Sequence, residues 1–396
     1  MHSGLVARVL SPLALSAFVP ELMILQIDVP DWFAPTAAVV IASLLLSVLA
    51  LTVGYSLFRA RRRRRRDAVR ENLREGLLER LYGADDPSWV AWADTLSDRE
   101  RSVLEELLDA YLRELDGADA RRLTGLGAAL GIGDRARRRL ESDDSSARLD
   151  ALTWLALLRD APDVSTLAAH CTGSPRERAA ATRALYVSEH EDIASVGVDL
   201  LLNDSPDAFS VFGIDTLYRV AESNPGPLFE RAASDYDDWD PALQAQVLLV
   251  CRRLNTVVGD ADLSWVLDLT ASPAERTRIE AIRALGGFGW KQSLRNRVDV
   301  DALTDDQSPT VRASAYRTLG EWGNEDAMNA LRVAAAEEHD ERARVVAARE
   351  LVGHYDEAAV PESLRGAWSW ATENDAFDRF ARDVSASRST RGAGNG

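Results

Sequence analysis

A short pattern, Arg-x-x-Ala-x-x-x-Leu, recurs along this chain at nearly fixed spacing. Clear copies begin at Arg148, Arg178, Arg278, Arg312 and Arg344, and degenerate copies begin at Ser210 and Gln244. Successive copies are separated by 30, 32, 34, 34, 34 and 32 residues. Units of this length with helical spacing can bury their apolar faces only by stacking on one another. The repeat therefore predicts an all-α chain, an α-solenoid of about seven helix pairs.

The sharpest copy, Ser308-Pro309-Thr310-Val311-Arg312 through Leu319-Gly320, resembles the second helix of a HEAT repeat of the PBS-lyase-like type. The resemblance extends from about Asp143 to Trp370. It implies that the second helices line one side of the array and that the array serves as an interaction scaffold. The layout is also similar to that of membrane-anchored prokaryotic HEAT-repeat proteins, some of which accompany glycosyltransferases of surface polysaccharide synthesis.

Residues 36–58 form an uncharged apolar stretch of 23 residues. At 1.5 Å per residue, a helix of this length covers a bilayer core of about 30 Å. Trp32 and Phe33 at one end, and Tyr55 and Phe58 at the other, suit the membrane interfaces. The stretch predicts a single transmembrane helix, and the alternative is a buried helix of the solenoid.

A run of arginines follows this stretch directly: Arg59, Arg61, Arg62, Arg63, Arg64, Arg65 and Arg66. Because basic residues resist translocation, we expect the N-terminus outside and the large C-terminal part in the cytoplasm. The run could also bind acidic lipid headgroups. Residues 1–35 are predicted to form an extracytoplasmic segment. Within it, residues 5–27 could instead be a poor first span, an interfacial segment, or sequence upstream of a true start at Met23.

The charge of the chain is unevenly distributed. The net charge is −17 over 396 residues, and residues 1–66, with eight arginines and three acids, carry +5, which leaves −22 for the remainder. Such a body repels phosphate backbones, so nucleic-acid binding is disfavoured. One lysine, Lys291, stands among 45 arginines. We expect a halophilic source with an acidic proteome, and a GC-rich genome is the alternative.

The remaining segments frame the repeats. Residues 59–142 are predicted to be a basic juxtamembrane stretch and a helical cap, residues 143–382 the solenoid, and residues 383–396 a disordered tail. In the cap, Ser97 and Glu100 have the spacing of a capping box. The glycines at 125, 127 and 131 lack the G-x-G-x-x-G spacing of a dinucleotide loop, and they favour helix termination and close packing.

Residues suited to catalysis are few. Some HEAT-like enzymes, the deoxyhypusine hydroxylases, bind two iron ions through several His-Glu pairs, whereas this chain has one such pair, His190-Glu191. Cys171 and Cys251 lie 80 residues apart in apolar surroundings, which favours reduced core thiols. We therefore expect no catalytic residues, no metal, no cofactor and no small-molecule substrate. A membrane-linked sensor would need an external domain larger than about 35 residues.

Four repeats carry a second arginine five residues after the first. We call these the second arginines, and the first position the frame arginine; the second arginines are Arg183, Arg283, Arg317 and Arg349. At 100° per residue, the frame arginine borders the apolar face and the second arginine points away from it. Stacking would align the second arginines in a row that receives carboxylates or phosphates of a protein partner. The alternative is that nearby acidic residues pair with them. We expect a membrane-anchored scaffold that recruits protein partners.

Overall fold

The computed structural model describes residues 33–83, 87–203, 207–255, 259, 261–352, 354–355 and 360–374. The chain divides into two compact units, Met1–Leu73 and Arg74–Gly396. Apart from an isolated bridge between Val352 and Tyr355, the regular structure in the described residues is helical. The predicted all-α class is confirmed over this part of the chain. The predicted tail, residues 383–396, and residues 1–32 of the predicted external segment lie outside the described residues.

The first helix, α1, extends from Phe33 to Gly83. It includes the stretch 36–58, although the side chains of residues 37–41 and 57 lie outside the described part. Over the residues described, no helix combines the length and the apolar character needed to cross a membrane. The predicted transmembrane helix therefore has no support from the fold.

Four helices form the predicted cap of the second unit: α2 (Trp89–Thr95), α3 (Asp98–Glu114), α4 (Gly117–Ala129) and α5 (Ile132–Arg139). The capping box at the start of α3 is confirmed, since the Ser97 amide donates to Glu100 Oε2 at 2.9 Å and Ser97 Oγ accepts from the Glu100 amide. Gly127 packs so closely on Leu158 that a Cβ atom would lie 2.2 Å from Leu158 Cδ2. Gly125 and Gly127 thus serve close packing, and Gly131, with a φ of 66°, lies between two helices, as predicted.

Seven helices of the described residues carry the repeated pattern, and each packs on the next in chain order. They are α6 (Ser145–Leu158), α8 (Pro175–Val187), α10 (Val211–Glu222), α12 (Pro241–Arg253), α14 (Glu275–Gly287), α17 (Pro309–Trp322) and α19 (Glu341–Leu351). The regular stacking of one helix per repeat is what an α-solenoid requires.

A second layer consists of the helices between these seven. They are α7 (Val164–His170), α9 (Ile193–Leu202), α11 (Gly226–Asp235), α13 (Ser264–Asp268), α15 (Gln292–Arg295), α16 (Val300–Thr304) and α18 (Glu325–Glu337). The core lies between the two layers. The Ala and Leu of the pattern are fully buried there, as at Ala281 and Leu285.

A serine-proline dipeptide favours a helix start, with serine as the N-cap and proline at the first helical position, and the helices of this chain follow that rule in part. At Ser174-Pro175 the serine caps α8 by accepting from the Glu177 amide at 3.2 Å, and the proline is the first residue of the helix. At Ser272-Pro273 the outcome differs, because Ser272 ends a 3-10 helix and α14 begins only at Glu275. The Ser205-Pro206 position falls largely outside the described residues.

A matched pair of truncations in α18 tests this packing. Leu331 is fully buried, whereas Val333 is 56% exposed. We expect Leu331→Ala to lower the free energy of unfolding by about 2–5 kcal/mol, because it leaves a cavity in the core. Val333→Ala should change it by less than about 0.5 kcal/mol. Urea denaturation followed by circular dichroism measures both, and equal losses would contradict the two-layer core.

Candidate docking surface on the repeat helices

The frame arginines join neighbouring repeats. Each donates from a terminal nitrogen to a carbonyl just before its own helix, as Arg278 does to Ser272 O at 2.9 Å. Three of them also bind a carboxylate at the start of the next repeat: Arg148 with Glu177, Arg278 with Asp306, and Arg312 with Glu338. We call this arrangement the arginine clamp. It engages terminal nitrogens of these arginines in holding two repeats together.

The clamp between Arg312 and Glu338 buries its carboxylate, whose side chain is 1% exposed. Two guanidinium nitrogens donate to the two carboxylate oxygens at 2.8 and 2.7 Å, and the Tyr316 hydroxyl donates to the same group at 2.7 Å. Burial alone would raise the pKa of the Glu338 carboxyl. The hydrogen bonds from Arg312, the Asp340 amide and Tyr316 outweigh burial and lower this pKa to about 2.

The second arginines do not form a uniform row. Arg183 is only 20% exposed, because it pairs with Asp215 of the next repeat and lies over the Phe212 ring at 5.3 Å. Arg283 donates to Glu280 Oε1 at 2.8 Å within its own helix. Arg317 and Arg349 are exposed. The expected outward direction thus fails for Arg183, whose aromatic and acidic neighbours in α10 could not be placed from the period alone.

Arg317 is the most available of the four. Among the described residues it forms no ion pair, yet two carboxylates attract it electrostatically, those of Glu321 and Glu350. Burial raises the pKa of both carboxyls, although part of the Glu321 side chain reaches solvent. Nearby arginines oppose this rise, chiefly Arg252 at Glu321 and Arg317 at Glu350. Arg317 therefore stands as an exposed cation beside two weakly compensated carboxylates.

Two glycines make room for these carboxylates. A Cβ atom on Gly286 would lie 2.2 Å from Glu321 Oε2, and one on Gly320 would lie 2.5 Å from Glu350 Oε2. In both cases an acidic side chain of one repeat lies on the bare backbone of the repeat before it. Neither acidic residue stood out in the sequence, but the glycines one repeat earlier were a signal for close approach.

Other candidate sites carry little chemistry. The described residues contain no group of three His, Cys, Asp or Glu side chains suited to a metal ion. Burial raises the pKa of the Cys171 thiol to about 11 and that of Cys251 still further, so both thiols are unreactive at neutral pH. An open cleft of about 860 Å³ between α16 and α18 is lined by Asp301, Asp305 and Glu337 among others. Trp368 is buried in the last described core cluster, whereas Trp370 is 48% exposed.

The predicted topology and lipid-headgroup arginines are described in part. Arg59 and Arg66 are exposed on α1, while the side chains of residues 61–65 lie outside the described residues. Ahead of them, apolar side chains on several faces of α1 are also exposed, with Leu44 at 65%, Leu45 at 63% and Leu46 at 67%.

Two stacked layers of helices, with one clamp position per repeat, define an α-helical repeat protein. Residues 297–379 match the family model described as HEAT repeats. Over these residues, about a fifth of the chain, the protein is similar to HEAT-repeat proteins, and the matched description does not specify the PBS-lyase-like type. Comparison with curated proteins and with solved structures gives no match. HEAT repeats are in general non-catalytic scaffolds for protein interaction.

The arginine clamp predicts a pH-dependent stability. Glu338→Gln should lower the free energy of unfolding at pH 7 by about 3 kcal/mol, because it leaves Arg312 without its buried partner. The folded-state pKa of about 2 lies below the ordinary value of 4.5, so this stabilisation is complete above pH 4.5 and declines as the pH falls towards 2.

Denaturant titrations of wild type and Glu338→Gln between pH 3 and pH 7 measure the gap between their free energies of unfolding. The exposed neighbour Glu337 provides the control, since Glu337→Gln removes the same charge without touching the clamp. A gap that stayed constant across the pH range, or an equal loss in the control, would contradict the role of the clamp.

Proposed function

We propose that this protein is a membrane-anchored scaffold whose repeat helices α14, α17 and α19 dock a partner protein through exposed arginines. The observation that carries the docking role is Arg317, an exposed cation without an ion pair among the described residues, in a body whose net charge is −22. A guanidinium presents a planar fork that binds carboxylates or phosphates through two hydrogen bonds. Arg283 and Arg349, on the neighbouring helices, extend this surface.

The frame arginines do not belong to the docking surface. Their guanidinium groups are engaged by carbonyls and carboxylates within the fold, as at Arg148 and Arg278. Arg183 is likewise engaged by Asp215. The proposed docking surface therefore includes fewer arginines than the sequence predicted, and α17 lies at its centre.

The proposed membrane anchor rests on the sequence of residues 36–58 and on the exposure of their described side chains. Residues 36–58 contain no charge, and the described apolar side chains from Leu44 to Phe58 are between 49% and 73% exposed. The apolar side chains of a helix that is apolar on all faces must be shielded from water, and a lipid bilayer shields them without a partner protein. Under this proposal the arginines after it keep the second unit in the cytoplasm, because basic residues resist translocation. Tethering would raise the effective concentration at which partners meet the scaffold.

Charge reversal at Arg317 tests the docking role. We expect Arg317→Glu to abolish cross-links between this chain and its partner in native membranes, because it replaces the attracting cation with a third carboxylate. Arg253→Glu, an exposed arginine on α12, reverses the same charge outside the surface and should leave the cross-links unchanged. Cross-linking with mass spectrometry measures both, and thermal unfolding verifies that each variant is folded. Cross-links that persist in Arg317→Glu would reject the docking surface.

Alkaline extraction tests the anchor. The full-length chain should stay in the membrane pellet at pH 11, and a variant lacking residues 36–58 should appear in the supernatant. External protease should leave the second unit intact in sealed cells and digest it after permeabilisation. Cleavage of the second unit in intact cells would overturn the proposed orientation, and release of the full-length chain would overturn the anchor.

A further inference from the structure

Three of the second arginines have a companion seven residues earlier in the same helix. The pairs are Arg176 with Arg183 on α8, Arg276 with Arg283 on α14, and Arg342 with Arg349 on α19. Seven residues make almost two helical turns, so both members of a pair lie on one face, about 10 Å apart along the axis. All three companions are exposed, and none forms an ion pair within the described residues.

The pairs on α14 and α19 flank α17, since α17 packs against both helices. At the companion position α17 carries Thr310, whose side chain is short and exposed. Packed helices lie 8–10 Å apart, so the two arginine pairs are separated by roughly 18 Å across α17. A helix with its side chains is about 10 Å wide and fits between them.

We propose that Arg276 with Arg283, and Arg342 with Arg349, bind an acidic α-helix of a partner protein that lies along α17 above Arg317. This inference rests on the proposed docking function and gives its partner a chemistry. The partner helix presents carboxylates one heptad apart on each of two flanks, which matches the spacing within each arginine pair. Arg283 already donates to Glu280, and the partner carboxylate would share its remaining donors.

An acidic helix fits this surface better than a nucleic acid does. Phosphates follow one another along every strand, so a nucleic acid would also meet the acidic residues that give the body its charge of −22. A helix places a few carboxylates on one side and can leave its other faces neutral. The long-range repulsion between two acidic proteins is screened beyond about 8 Å at 0.15 M salt, whereas the arginine contacts are direct.

Two labelled peptides of identical composition provide the test. Both are 22-residue alanine and glutamine helices with four glutamates: in the first the glutamates form two pairs spaced seven residues apart, and in the second the spacing is five. Fluorescence anisotropy titrations use the full-length chain in detergent micelles. We expect the first peptide to bind at least fivefold more tightly, and Arg276→Ala/Arg342→Ala to remove this preference. Arg253→Ala is the control and should keep it.

Each outcome separates this inference from the docking function beneath it. If the two peptides bind wild type equally and Arg317→Glu abolishes both, the docking surface stands and the paired geometry is rejected. If neither peptide binds wild type, the acidic-helix inference is rejected, and the cross-linking of Arg317→Glu decides on the docking surface separately. If a single-stranded oligonucleotide displaces the first peptide at a lower concentration than the unlabelled peptide does, the assignment of an acidic helix is wrong.

Discussion

The fold depends on guanidinium groups shared between neighbouring repeats. A frame arginine such as Arg312 donates from Nη1 to a carbonyl before its own helix. Its Nε donates to a carboxylate at the start of the next repeat. Leu and Ala burial holds the layers together but does not fix the register between repeats, because apolar contacts are non-directional. The ion pairs are directional, and at the three clamped junctions they set where one repeat begins relative to the one before.

The interval between frame positions was sufficient to predict where the seven stacked helices lie, because only a helix places Arg, Ala and Leu of this spacing along one edge. The degenerate copy at Gln244 is the fourth residue of α12, as the arginine copies are in their helices, whereas Ser210 is the residue before α10; neither supplies a clamp arginine. What the interval could not predict is the second layer. Its helices vary from α15, with four residues, to α18, with thirteen, since their lengths depend on how each connection closes.

The candidate surface was predictable only in part for the same reason. Helical angles identify which residues leave the core, and they do so correctly for Arg317 and Arg349. Angles within one helix do not predict contacts with the neighbouring helix. Arg183 therefore could not be assigned its partner, because Asp215 lies on α10. The companions Arg276 and Arg342 lie seven residues before second arginines in the sequence. The Arg-x-x-Ala frame relates the second arginines only to the frame arginines, five residues earlier, and so does not indicate the companions. Knowledge of which helices adjoin α17 was needed to give them a role.

The glycines under Glu321 and Glu350 have a consequence for how this array could have arisen. Repeats that fit any neighbour can be duplicated, deleted or exchanged during evolution with little cost. A Cβ atom on Gly320 would lie 2.8 Å from Glu350 Cβ, so a larger residue there would force the two repeats apart, whereas at Gly286 the flexible end of Glu321 would have to move. The last three stacked helices are thus matched to one another as an ordered set, and recombination is expected to keep them as a block.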